Sequence, residues 1–244
     1  MPSQPSIDNL LTSIIGKLDE EVGNLLGDEI HFSPQGSRIA TKEDLFAEPR
    51  ESSVVVHMEV SGEQSAKSFV MLRLQDAILF GSSLIMLPEE QVQQKIEAGR
   101  LEGEEANAFG EIANSLASAC THTFRDQSPG NLKFASNKVM GLAPGEVDLT
   151  ADEPFPPGSY VLCQVSMSFK EETLGHLDFL FPPGLLGLAG EEDGSAAENG
   201  SEARRATDRT LFAALQQIQD QISEFLGQEL VFSGHANRFT TKKA

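Results

Sequence analysis

Apolar residues recur at positions 7, 10, 11, 14, 15, 18, 22, 25 and 26. That spacing predicts an amphipathic helix over 7–26 with one buried face, and Gly27 can end it. A short strand is expected over 29–33. The period then changes to two. Val54, Val56, Met58 and Val60 share one side of a predicted strand over 53–60, and Val70, Leu72 and Leu74 share one side of another over 68–74. The polar turn Ser61-Gly62-Glu63-Gln64 makes these two antiparallel neighbours. Asp76 is placed to cap a helix running to Leu87. Pro88 interrupts, and 89–98 again reads as helix.

A second long helix is expected over 102–125, with Phe109, Ile112, Ala113, Leu116, Cys120 and Phe124 on its apolar side. The turn Ser128-Pro129-Gly130 leads into a strand over 132–140. Beyond the Pro/Gly-rich stretch 154–158 come two more alternating strands. One carries Val161, Cys163, Val165, Met167 and Phe169, the other Leu177, Phe179 and Phe181. A tight link over 171–175 makes them a hairpin. The pattern is that of an α+β domain over residues 6–185, an antiparallel sheet with long amphipathic helices in two layers.

Residues 189–206 are rich in Gly, Ala, Ser and Glu. They bury too little apolar surface to offset chain entropy and are expected to form a flexible acidic linker. Residues 207–244 then repeat 7–44. A helix over 208–227 presents Leu211, Leu215, Ile218, Ile222, Phe225 and Leu226. An ungapped shift of 200 positions pairs Gly27, Glu29, Phe32 and Ser33 with Gly227, Glu229, Phe232 and Ser233. It also pairs Arg38, Thr41 and Lys42 with Arg238, Thr241 and Lys242. Helical periodicity does not dictate L-G-x-E-x-x-F-S followed by R-x-x-T-K, so the second copy reads as a partial duplication, helix plus strand. Its apolar stripe is expected to dock, within the chain or across a homodimer.

Composition narrows the function. The formal net charge is −19, from 37 acidic and 18 basic side chains. Such a charge repels nucleic acid and an anionic membrane surface, while a basic patch on a protein partner remains attractive. Solubility alone is an equally ordinary use of it. No apolar run approaches the roughly 20 residues of a membrane span, and the N-terminus lacks the basic start of a secretory signal. Cys120 and Cys163 lie in apolar stretches and read as reduced core residues, so a cytoplasmic location is expected. The five histidines form no pair at metal-ligand spacing. Glycine-rich phosphate loops and G-x-S-x-G are absent.

On a helical wheel Asn107, Glu111, Asn114 and Ser118 fall together opposite the Phe109–Leu116–Cys120 stripe. Glu111 and Asn114 are three apart and therefore neighbours. A carboxylate and a carboxamide on an exposed ridge can reach into a partner's pocket.

The segment Phe109-Gly110-Glu111-Ile112-Ala113-Asn114-Ser115-Leu116 resembles the E-[IV]-x-N signature of the CheC/CheX/FliY family of chemotaxis phosphatases. The order of elements over about residues 6–183 is similar to a CheX-like unit, and L-G-H-L-D-F-L-F at 174–181 is similar to the family's final strand. The resemblance implies a role for each motif residue. Asn114 would enter the active site of a phosphorylated CheY-like response regulator and orient the attacking water, and Glu111 would pair with a regulator lysine. It implies no cofactor of the chain's own, since the regulator carries Mg²⁺. Orienting a water in line is most of what a labile acyl phosphate requires, and an amide holds one with a donor and an acceptor.

A second E-x-x-N occurs at Glu21 and Asn24, and CheC carries two such sites. The repeat has Gln221 and Glu224 at those places. The chain departs from some members in having Asn107 four residues before Glu111, and in its prolines, Pro129 and Pro144. The alternative function is a non-catalytic module that binds a response regulator or a flagellar-switch-type partner.

Overall fold

The computed structural model describes residues 4–27, 30–47, 51–127, 131–143, 145, 147–170, 172–188, 230–232 and 239–241. The chain divides into two compact units, Met1–Glu192 and Asp193–Ala244.

The first unit opens with helix α1, Gln4–Leu26. Its apolar stripe is buried at Ile7, Leu10, Leu11, Ile14, Ile15, Leu18 and Val22. Gly27 follows at φ +81°, the left-handed conformation that suits a glycine after a helix. Strand β1 is longer than expected, Ile30–Thr41, and continues through Ser33-Pro34-Gln35-Gly36-Ser37 by a bulge between Pro34 and Gly36. A one-turn helix α2, Lys42–Leu45, is capped reciprocally by Thr41 and Asp44.

The hairpin of β2, Ser53–Ser61, and β3, Ala66–Arg73, forms where the alternation placed it, except that Leu74, expected in the second strand, already opens the next helix. Helix α3, Leu74–Leu84, starts two residues before Asp76 and stops short of Leu87. Asp76 is therefore not the cap but the third helical residue. Its carboxylate is 2 % exposed. It accepts a fork from Arg73 at 2.8 and 2.9 Å and the Gly175 N–H at 3.1 Å. A side chain at Gly175 would strike both partners.

Helix α4, Glu89–Ala98, and helix α5, Glu104–Gln127, follow. Strand β4 spans Lys133–Leu142, β5 Ser159–Phe169 and β6 Glu172–Phe181. The β5–β6 link is shorter than expected. Thr173, Leu174 and Gly175 already belong to β6, and Lys170 takes φ +50° in the turn.

All described strands of this unit lie in one antiparallel sheet of order β1-β5-β6-β3-β2-β4. Val54, Val56, Met58, Val60, Val161, Cys163 and Phe179 meet α1, α3 and α5 in the main core. Both cysteines are free and buried there. Burial pushes the thiol pKa of Cys120 well up and that of Cys163 to about 12, which keeps both protonated.

The other face is not simply polar, as a two-layer reading expects. Val55, Phe69, Met71, Tyr160, Leu162 and Leu180 form a second, smaller core under α2 and Phe155. Phe155 belongs to the segment linking β4 and β5; it stacks on Phe46 and packs at a tilt against Phe69, at centroid distances of 5.8 and 5.4 Å. Lys42 holds that segment down. It is fully buried, and its Nζ donates to the carbonyl oxygens of Asp148, Ala151 and Glu153 at 3.0, 2.7 and 2.8 Å.

At the rim of this outer core His57 meets Phe69 edge-on. Burial, with Lys138 and Lys67 nearby and Glu153 opposing, holds the imidazole pKa below its ordinary value of 6.5. The unfolded ring therefore takes up a proton first as pH falls, and stability should decline below pH 6.5 until the folded ring's own lower pKa is passed. His57→Phe should remove that share of the decline. Urea midpoints at about pH 7.5 and 5.5 check this, and equal losses in both proteins would refute it.

One close approach fixes the helical layer. A Cβ on Gly81 of α3 would stand 2.1 Å from the Glu105 carbonyl oxygen of α5. Gly81→Ala should cost about 1–3 kcal/mol in urea unfolding. Gly110 of α5 has nothing within 4 Å of its virtual Cβ, so Gly110→Ala should instead gain about 0.5–1 kcal/mol.

In the second unit, Leu230–Phe232 (β7) and Phe239–Thr241 (β8) pair antiparallel, Leu230 with Thr241 and Phe232 with Phe239. The segment equivalent to the single strand β1 thus folds back on itself. The predicted linker 189–206 and helix 208–227 lie outside the described residues. Among the described residues no helix is long and apolar enough to cross a membrane.

Candidate functional site

Helix α5 places the E-x-x-N motif. Glu104 and Glu105 occupy its first turn and Arg125 its last, matching the helix dipole. Lys95 of α4 pairs with Glu105 at 2.7 Å, and this contact ties α4 to the start of α5. One side of α5 is sealed in the core through Phe109, Ile112, Ala113, Leu116, Ala119, Cys120 and Phe124. With that side fixed, the helical period leaves no choice for the opposite one. Asn107, Glu111 and Asn114 are exposed, and Ser118 is half-buried. The ridge predicted from the wheel is present as a continuous line.

Neither the Glu111 nor the Asn114 side chain makes a hydrogen bond or ion pair among the described residues, so both are available to a partner. A carboxylate and an amide one helical turn apart supply a charge anchor beside a neutral donor–acceptor pair.

The second match lies on α1, which runs antiparallel to α5. Ser13 accepts a hydrogen bond from the Gln127 amide, and Glu21 faces His122 at 3.9 Å. Asn24 is exposed, whereas Glu21 is partly buried against α5. The two motifs therefore differ. Glu111 and Asn114 stand clear on their ridge, while Glu21 is turned into the α1–α5 seam.

Exposed side chains on a helical ridge suit insertion into a partner better than capture of a small molecule. Among the described residues no group of three or more His, Cys, Asp or Glu side chains is disposed to hold a metal ion. A feature unread in the sequence is the sheet's outer face, with the buried Lys42 and a cavity at its rim. The recurrence of Thr-Lys at 41–42 and 241–242 was the one signal that Lys42 is special.

No family model matches the chain, and no curated protein matches it in sequence. Solved structures do match it in fold. FliY of Thermotoga maritima superposes with a TM-score of 0.63 at 13 % identity, covering 75 % of this chain and 91 % of that one. FliM of H. pylori, solved in complex with SpeE, superposes at 0.59 and 8 % identity, over 79 % of this chain and 97 % of the other. CheX of Desulfovibrio desulfuricans gives 0.43 at 13 % identity, over 72 % and 99 %. The fold is the one FliY and FliM share, and the α+β antiparallel architecture expected from the CheC/CheX/FliY resemblance is the one observed.

Proposed function

We propose that this chain acts on a phosphorylated CheY-like response regulator and accelerates hydrolysis of its aspartyl phosphate. The observation that carries the reading is the pair Glu111 and Asn114, exposed and unpartnered on the outer ridge of a long helix, within a fold like that of FliY. Asn114 inserts its carboxamide beside the acyl phosphate and holds a water in line through one donor and one acceptor. Glu111, one turn away, pairs with a lysine of the regulator and sets the register of the two proteins. The metal needed at the phosphate is the regulator's Mg²⁺. The chain supplies position rather than a nucleophile, so a flat helical ridge is sufficient.

Phosphate release from a panel of phosphorylated receiver domains, with and without the chain, tests the reading. Acceleration for at least one receiver is expected, and none across the panel would reject it. A second reading has its own support. FliM, which shares the fold, has been solved in complexes with FliG and with SpeE. A module that binds a regulator or a flagellar-switch-type partner without catalysis would show binding to a receiver with no change in its phosphate lifetime.

A further inference from the structure

On the outer face of the sheet, where the segment linking β4 and β5 stops covering it, lies a cavity of about 370 Å³. Strand register builds its floor. Glu59 stands opposite Lys67 on β3 and opposite Ala135 on β4, and His57 stands opposite Phe69 and Lys138. The β2–β4 register slips between His57 and Met58, which leaves Asn137 as the extra residue of a bulge at the cavity wall. Bulges re-aim side chains and collect near sites. From the covering segment Glu153 reaches Lys138 at 2.8 Å and closes one side.

Charges of both signs line this space. Lys138 and Glu153 neutralise each other. Lys67 and Glu59, although cross-strand partners, form no ion pair or hydrogen bond among the described residues. His57 adds an imidazole to the lining, with its Nε2 turned inward and buried without a hydrogen-bond partner among the described residues.

We propose that the cavity binds a small zwitterion of the α-amino-acid class, its carboxylate on Lys67 and its ammonium on Glu59, with the Asn137 amide adding neutral hydrogen bonds. Three observations select that chemistry. The four charged side chains sum to zero, so a ligand with one charge of each sign is matched and a singly charged one is not. The −19 of the whole chain repels a net anion on approach. The volume falls in the range of roughly 300–1,000 Å³ that small ligands occupy. The cavity faces away from α5, across the sheet, so its ligand does not depend on the Glu111–Asn114 reading.

Isothermal titration calorimetry of the full chain with each of the common L-α-amino acids, up to about 10 mM, tests this. At least one should bind. Its α-keto acid, which lacks the ammonium, and its decarboxylated amine, which lacks the carboxylate, should each bind at least about tenfold more weakly. Lys67→Met and Glu59→Gln, both at exposed strand positions, should show the same loss with unchanged melting temperature, and Asn114→Ala should bind as the parent does. Absence of heat for every amino acid overturns the proposal. So does equal binding of the truncated analogues, or parent-like binding by both pocket variants.

Discussion

Asn114→Ala should lower the chain's maximal acceleration of regulator dephosphorylation by about 100-fold or more while leaving its melting temperature unchanged. The side chain is exposed and has no partner among the described residues. Alanine is the best helix former, so the substitution carries no folding penalty. In the proposed mechanism the group lost is the one that holds the water, and that interaction acts in the transition state rather than in the encounter complex. The regulator concentration for half-maximal effect should therefore stay nearly constant. Glu111→Ala should give the converse pattern. Removing a charge anchor raises that concentration by about three- to tenfold and lowers the saturated rate less. Single-turnover phosphate release at several concentrations of the chain separates the two signatures. Retention of the parent rate by Asn114→Ala would sink the catalytic assignment. Binding of a phosphorylated receiver without any acceleration, already in the parent protein, would favour the interaction module instead.

The ridge was legible because its signal is redundant. A stripe of six apolar positions over 109–124 fixes the buried side of α5, and the exposed side follows from the helical period alone. The same holds for α1. Between them, β1 was cut short in the sequence because Ser33-Pro34-Gln35-Gly36-Ser37 carries every mark of a turn. The strand continues because it is at the edge of the sheet. Pro34 owes no hydrogen bond on the open side, and the bulge between Pro34 and Gly36 absorbs the irregularity.

The outer core was illegible for a different reason. Alternation in β2, β3 and β5 reports one buried face, but the second face is covered by a segment without periodicity. Pro154-Phe155-Pro156 reads as punctuation and in fact delivers the ring that fills that core. The run Val54-Val55-Val56 carried the hint, since consecutive β-branched residues suit a strand buried on both sides. The partial duplication shows how far local sequence determines structure. Residues 230–232 and 239–241 match the two ends of β1, yet they pair with each other as a hairpin. The first copy instead finds its hydrogen bonds along β5. A strand's partner is a property of the surrounding sheet, not of the strand.

Lys42→Ala should be strongly destabilising, costing about 3–5 kcal/mol. A lysine with no exposed surface is tolerated only when its ammonium is fully hydrogen-bonded. Here all three donors are used, on the carbonyls of Asp148, Ala151 and Glu153. The Phe155 ring centroid lies 5.7 Å from Nζ. Alanine leaves three inward-facing carbonyls without a donor and a void where the stem was. Both defects fall beneath the segment that covers Phe69 and Tyr160. Lys42→Met separates the two. It restores most of the volume and none of the hydrogen bonds, and should recover about 1–2 kcal/mol of the loss. Because the lost contacts all anchor one segment, the damage should begin there. Residues 148–158 should become the first site of limited proteolysis in Lys42→Ala, and the fluorescence of Tyr160, the chain's single tyrosine, should change before global unfolding in urea. The ridge on α5 lies across the sheet, so any activity that depends on Asn114 should persist in Lys42→Met under conditions where it remains folded. A Lys42→Ala protein with the parent's urea midpoint and an uncut 148–158 segment would show that the three carbonyl contacts do not hold the outer core.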